Sequence, residues 1–96
     1  MKITYGIIVL NGDFLLRQVL ESIYDSAHAI CIAEGSVSYW NSQGVTNSTD
    51  DTLKIIKEFP DKENKIKLIS GTWKEKTEQC QAWFNLVPND TDYVWC

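Results

Sequence analysis

Apolar positions change their spacing along the chain, and each change marks the start of a new element. Residues Ile3–Leu10 are nearly continuously apolar and rich in β-branched side chains, the pattern of a strand covered on both faces in a parallel sheet. Asn11, Gly12 and Asp13 follow as turn chemistry, with Asp13 or Asn11 placed to cap a helix. Leu15, Leu16, Val19, Leu20 and Ile23 then recur at spacings of three and four, which predicts an amphipathic helix to about Tyr24. Ala29–Ala33 is a short second strand, ending at Glu34.

Residues 35–47 keep no period, and their Gly, Ser and Asn content predicts a loop. Its Tyr39-Trp40 pair has two readings: rings packed back onto the domain, or a lid or stacking surface over a ligand. Ser48-Thr49-Asp50-Asp51 fits a capping box with Ser48 at the N-cap, and Leu53, Ile56 and Phe59 give the following helix its apolar stripe before Pro60 ends it. Asp61–Lys65 is a polar turn and Ile66–Ile69 a third strand. Thr72-Trp73-Lys74-Glu75 repeats the box, opening a helix to about Val87 with Trp73, Cys80, Trp83 or Phe84, and Val87 on one side. Asp90-Thr91-Asp92 then turns into a final strand through Tyr93, Val94 and Trp95.

The order is βαβαβαβ within one small α/β domain, residues 1–96, with no internal repeat. Single helices between strands require right-handed crossovers and hence a parallel sheet. Placing the most apolar strand, Ile3–Leu10, centrally gives the predicted order 3-2-1-4, with helices on both faces.

Charge narrows the partners. The net charge is -4, which argues against a nucleic-acid binder, since phosphate contacts need clustered Lys and Arg. Seven of the nine basic residues fall between Lys54 and Lys76, but they alternate with Glu58, Asp61, Glu63, Glu75 and Glu78 and describe a solvated mixed-charge surface. The three cysteines, Cys31, Cys80 and Cys96, have no CxxC spacing, and Cys31 in its apolar strand reads as a small hydrophobe. No signal-peptide pattern and no stretch near the ~20 apolar residues of a membrane span is present, so a reduced, cytoplasmic setting is expected. Asn47-Ser48-Thr49 and Asn89-Asp90-Thr91 match the glycosylation pattern, without the secretory signal that would give the match meaning.

Candidate chemistry follows from position. Ligands of open parallel sheets bind at the carboxyl ends of the strands, which singles out Leu10 and Asn11, then Glu34, then Ser70 and Gly71. Helix starts nearby offer N–H groups to phosphates. Asn11-Gly12-Asp13 is neither GxGxxG nor GxxxxGK[ST], which disfavours a Rossmann dinucleotide site and a P-loop. His28, the only histidine, precedes a strand and, with no Asp or Ser partner in view, reads as structural. No His/Cys/Asp cluster has zinc-ligand spacing.

These elements carry a family resemblance. Val9–Asp13 with Leu20-Glu21-Ser22-Ile23-Tyr24 resembles the opening of family 2 glycosyltransferases: an apolar strand, a short Asn-containing turn, then L-x-S-I on the first helix. Ala33-Glu34-Gly35-Ser36, resumed at Ser48-Thr49-Asp50-Asp51-Thr52, is similar to the family's Asp-Gly-Ser-x-Asp-x-Thr element. Asp92–Cys96 resembles the strand that precedes the family's Asp-x-Asp motif. Glu34 stands where the family usually has Asp, about a dozen inserted residues split the motif, and the helix near Lys76, Gln79 and Gln81 lacks the family's Arg-Asn pair.

The resemblance implies the Rossmann-like, nucleotide-sugar-binding half of a GT-A domain. Its donor is a nucleotide-diphosphate sugar, with Leu10, Asn11, Glu34, Asp51 and Lys76 as nucleotide-binding residues. Glu34 is expected to accept an N–H from the base and Lys76 to neutralise a phosphate. It also implies a divalent cation, Mn or Mg, whose ligands follow Cys96 in the whole protein. These 96 residues are then expected to be inactive in transfer alone, with a free sheet edge that favours self-association. The rival expectation is a non-catalytic nucleotide- or protein-binding α/β domain.

Overall fold

The computed structural model describes all 96 residues. In chain order the elements are β1 (Ile3–Val9), α1 (Asp13–Ile23), β2 (Ala27–Val37), α2 (Ser38–Ser42), α3 (Thr52–Glu58), β3 (Ile66–Trp73), α4 (Lys76–Phe84) and β4 (Tyr93–Trp95). The four strands form one all-parallel sheet in the order β3-β2-β1-β4, as the alternating pattern predicts. The protein is therefore a Rossmann-like α/β domain, and none of its helices is long and apolar enough to cross a membrane.

Topology sorts the core into two layers. The chain steps outward from β1 to β2 to β3, and right-handed crossovers put α1 and α3 on one face. There Leu16, Leu20, Ile55, Ile56 and Phe59 bury against Ile30 and Ile32 of β2. The return to β4 reverses direction and carries α4 to the other face, where Trp83 packs on Cys31 and Ala33. The alternation of Ile30 and Ile32 with Cys31 and Ala33 is the period-2 signature of a strand covered on both sides.

That fully covered strand is β2, whereas β1 is only partly buried. β4 pairs with Ile3–Tyr5, and most β1 side chains stay only partly covered, so the reading of β1 as buried on both faces is corrected. Gly6 has a packing reason: a Cβ there would lie 2.3 Å from the Trp83 ring.

Several boundaries differ from expectation. β2 continues through Val37 because Gly35, Ser36 and Val37 pair with Gly71, Thr72 and Trp73 of a lengthened β3. Gly35 adopts φ +141, and a Cβ would fall 1.7 Å from the Gly71 carbonyl oxygen, so glycine is the residue this crossing requires. Thr72 and Trp73 are accordingly strand residues rather than the start of a helix. Glu75 is the N-cap of α4, and the Glu78 carboxylate accepts from the Lys74 N–H instead. Neither capping box forms: α3 starts after Asp51 with no side-chain cap bond, and α4 closes at Phe84, short of Val87. The N-cap of α1 is Gly12 rather than Asn11 or Asp13.

The lower end of the sheet is fastened by polar contacts. Lys2 Nζ and His28 Nε2 reach Asp90 at 2.9 and 2.8 Å, and the Lys2 N–H donates to Asp92. His28 thus has an acidic partner from across the fold.

Candidate functional site

At the carboxyl end of β1 the backbone turns through Asn11, which adopts φ +52, a left-handed conformation that asparagine tolerates better than most residues. The turn aims the Asn11 side chain at the segment leading into α3. Its Oδ1 accepts from the N–H groups of Thr49 (2.7 Å) and Asp50 (3.3 Å). In return Ser48 Oγ accepts from the Asn11 N–H at 3.0 Å, Thr52 Oγ1 from the Gly12 N–H at 2.9 Å, and Asp50 Oδ2 from the Asp13 N–H at 3.1 Å. Asp13 Oδ2 accepts from the Asp51 N–H at 3.3 Å.

The open N–H groups of two chain segments are thus satisfied by each other's side chains. Helix starts leave such donors unpaired, and here the caps are exchanged across space. Burial pushes the Asp50 carboxyl up, but the hydrogen bonds it accepts from Thr52 and Asp13 outweigh burial and hold it below the ordinary carboxylate range.

Glu34 sits beneath this exchange, within the covered part of β2, with no exposed surface. Its carboxylate accepts from the Ser48 N–H at 2.6 Å and, more distantly, from Asn47 Nδ2 at 3.4 Å. Both oxygens therefore face the chain's own donors. Two residues on, the Ser36 N–H donates to the Thr46 carbonyl at 3.0 Å and closes the neck of a loop running from Val37 to Thr46. Ser36 Oγ is buried there without a hydrogen-bond partner.

Two hollows open at this edge of the sheet and share Leu10. One, about 160 Å³, lies between the ends of β1 and β2 and the start of α4, bordered by Leu10, Gly35, Val37, Lys76 and Gln79. The other, about 290 Å³, is lined by Leu10, Asn11, Trp40 and Val45. Gln79 is buried and locks α4 to β2, its Nε2 donating to the carbonyls of Ala33 (2.9 Å) and Gly35 (3.3 Å).

Of the residues singled out from the sequence, Leu10, Asn11 and Lys76 border these hollows. Glu34 lies under them, engaged with the loop. Asp51 lies apart, in a polar groove of about 310 Å³ between α1 and α3 that also holds Asp13, Arg17, Lys54 and Glu58. Trp40 and Val45 are further lining residues. Trp40 carried a signal as an aromatic in an otherwise polar loop; Val45 carried none.

Tyr39 and Trp40 do not pack back onto the domain. They are 65% and 48% exposed and meet each other edge to face at 5.0 Å. No group of three or more His, Cys, Asp or Glu residues is placed to hold a metal ion.

The chain matches no model of a known protein family, no curated protein and no solved structure.

Proposed function

We propose that this chain is the nucleotide-sugar-binding part of a GT-A glycosyltransferase, an enzyme that transfers a sugar from a nucleotide-diphosphate donor to an acceptor hydroxyl. One observation carries the reading. The two halves of the split motif, Glu34-Gly35-Ser36 and Ser48–Thr52, are separated in sequence yet joined in space by the Ser48-to-Glu34 hydrogen bond. The inserted residues loop out between them. The rejoined motif lies at the carboxyl edge of a 3-2-1-4 parallel sheet, where ligands of such sheets bind.

The residues have separable roles in this reading. Leu10 and Asn11 form the wall against which a base and ribose lie. Lys76, exposed at the start of α4, offers a cation and the helix's first N–H groups to a diphosphate. Glu34 acts through the loop, holding Asn47 and Ser48 in place. Asp51 lies outside the two hollows and meets only a ligand long enough to reach the α1–α3 groove. The residues present do not fit the divalent cation such donors require.

The rival reading, a nucleotide- or protein-binding α/β domain without chemistry of its own, is favoured by the engagement of Glu34 and Asp50 with the chain's own donors. Titration with uridine diphosphate, followed by amide NMR, tests the nucleotide site. Shifts are expected at Leu10, Asn11, Gly35 and Lys76, and Lys76→Ala should weaken binding about two- to fivefold, the scale of one exposed charge pair. Shifts confined to the Asp61–Lys65 turn, or none at millimolar nucleotide, would overturn it.

A further inference from the structure

The loop that splits the motif has a chemistry of its own. From Gly35 to Thr49 there is no Asp, Glu, Lys, Arg or His, in a chain that is 23% charged. The segment is instead dense in amides and hydroxyls around one aromatic pair. Asn41, Gln43 and Thr46 are exposed, and their side chains make no hydrogen bond within the chain. Such side chains both donate and accept. Within this segment a phosphate, carboxylate or ammonium ligand would find no opposite charge.

The aromatic pair is held out on a braced support. The Trp40 carbonyl accepts from the N–H groups of Gln43 (3.0 Å) and Val45 (2.9 Å), and the neck is closed by Ser36 and Thr46. The Ser38 N–H donates to the Lys74 carbonyl, tying the start of α2 to the end of β3. A loop fastened at so many points presents its side chains with little further ordering on binding. Trp40 remains half exposed at the rim of the hollow lined by Leu10, Asn11 and Val45.

An exposed aromatic ring, an adjoining hollow with an apolar floor, and neutral hydrogen-bonding groups around them match one ligand class. A pyranose ring has an apolar face of C–H groups and a rim of uncharged hydroxyls that both donate and accept. We infer that the Ser38–Thr49 face binds an uncharged carbohydrate, one sugar ring lying on the Trp40 indole over the Leu10–Val45 hollow. This face shares Leu10 and Asn11 with the nucleotide reading and differs from it in seating the ring on Trp40 and Val45, away from the phosphate contact, Lys76, which borders the other hollow. The base of a nucleotide would also stack on Trp40, but its phosphates would find no cation in the Gly35–Thr49 segment or in the lining of the hollow.

The test is an NMR titration of the whole chain with maltotriose, cellotriose and N-acetylated chitotriose, each into the millimolar range, with uridine and uridine diphosphate in parallel. At least one trisaccharide should shift the Trp40 indole N–H together with the Leu10, Asn11 and Val45 amides. Trp40→Ala should weaken that binding about tenfold, the scale of a lost aromatic stacking contact, and Trp40→Phe should retain part of it. Unchanged melting temperatures will show that these surface variants stay folded. If no trisaccharide shifts these signals, or if uridine alone moves the Trp40 indole, the inference is overturned. A uridine diphosphate response at Lys76 with no trisaccharide response removes the carbohydrate face and leaves the nucleotide site standing.

Discussion

Replacing Glu34 by alanine tests the claim that a single buried carboxylate holds the motif together. The side chain accepts one short hydrogen bond, from the Ser48 N–H at 2.6 Å, and one long one, from Asn47 Nδ2 at 3.4 Å. A hydrogen bond to a charged group contributes about 1.5–3 kcal/mol, and at 3.4 Å the second adds little. Glu34→Ala should therefore cost about 2 kcal/mol, which for a domain of this size lowers the melting temperature by roughly 8–16 °C. Glu34→Gln keeps one oxygen for Ser48, and Asn47 can turn its own oxygen toward the new amide. Its cost should stay under about 1 kcal/mol, the net value of an ordinary neutral hydrogen bond. Thermal melts of both variants, with hydrogen exchange at the Ser48 amide, decide the matter. If Glu34→Ala melts within a degree or two of the parent and the Ser48 amide stays protected, Glu34 does not hold the loop and the reasoning fails.

Two further perturbations probe the rest of the fold. Gly6→Ala places a methyl 2.3 Å from the buried Trp83 ring and should destabilise by about 1–3 kcal/mol, as overpacked cores do; a neutral result in denaturant unfolding would show that Trp83 moves freely. The hydrogen bonds from Lys2 and then His28 hold the Asp90 carboxyl down at about 2, against an unfolded value near ~3.9. The stability this contributes is fully present above that unfolded value and is lost as pH falls from there through the folded one. Stability measured between pH 5 and pH 2 should therefore fall less steeply in Asp90→Asn than in the parent chain, and parallel profiles would count against the contact.

Apart from the short helix α2, which forms inside the stretch expected to be a loop, element type and order were legible because spacing alone separates β1 from α1 and α1 from β2, and helices between strands leave only parallel connections. What stayed hidden was contact across space. Ser48 and Asp51 have the spacing of a local cap, but Asn11 takes the Ser48 hydroxyl, Glu34 the Ser48 N–H and Asp13 the Asp51 N–H, so the box never forms. Gly35-Ser36-Val37 has no strand character of its own; it becomes strand because Gly71-Thr72-Trp73 lies beside it and glycine permits the close approach. In the candidate site, Leu10, Asn11 and Lys76 were legible from the rule that strand ends bear ligands. The engagement of Glu34 was not, because its partners belong to a loop with no period to announce where it folds.

The neck between Ser36 and Thr46 makes the loop above it separable from the fold that carries it. Its two ends are already held at hydrogen-bonding distance by strand and clamp, so lengthening or rewriting the residues between them adds little closure entropy, about 0.6 kcal/mol for each doubling. Sequence can therefore vary between Val37 and Val45 while the sheet and the Asn11 clamp stay fixed. The position is a natural graft site, where a different recognition loop can be installed on an unchanged domain.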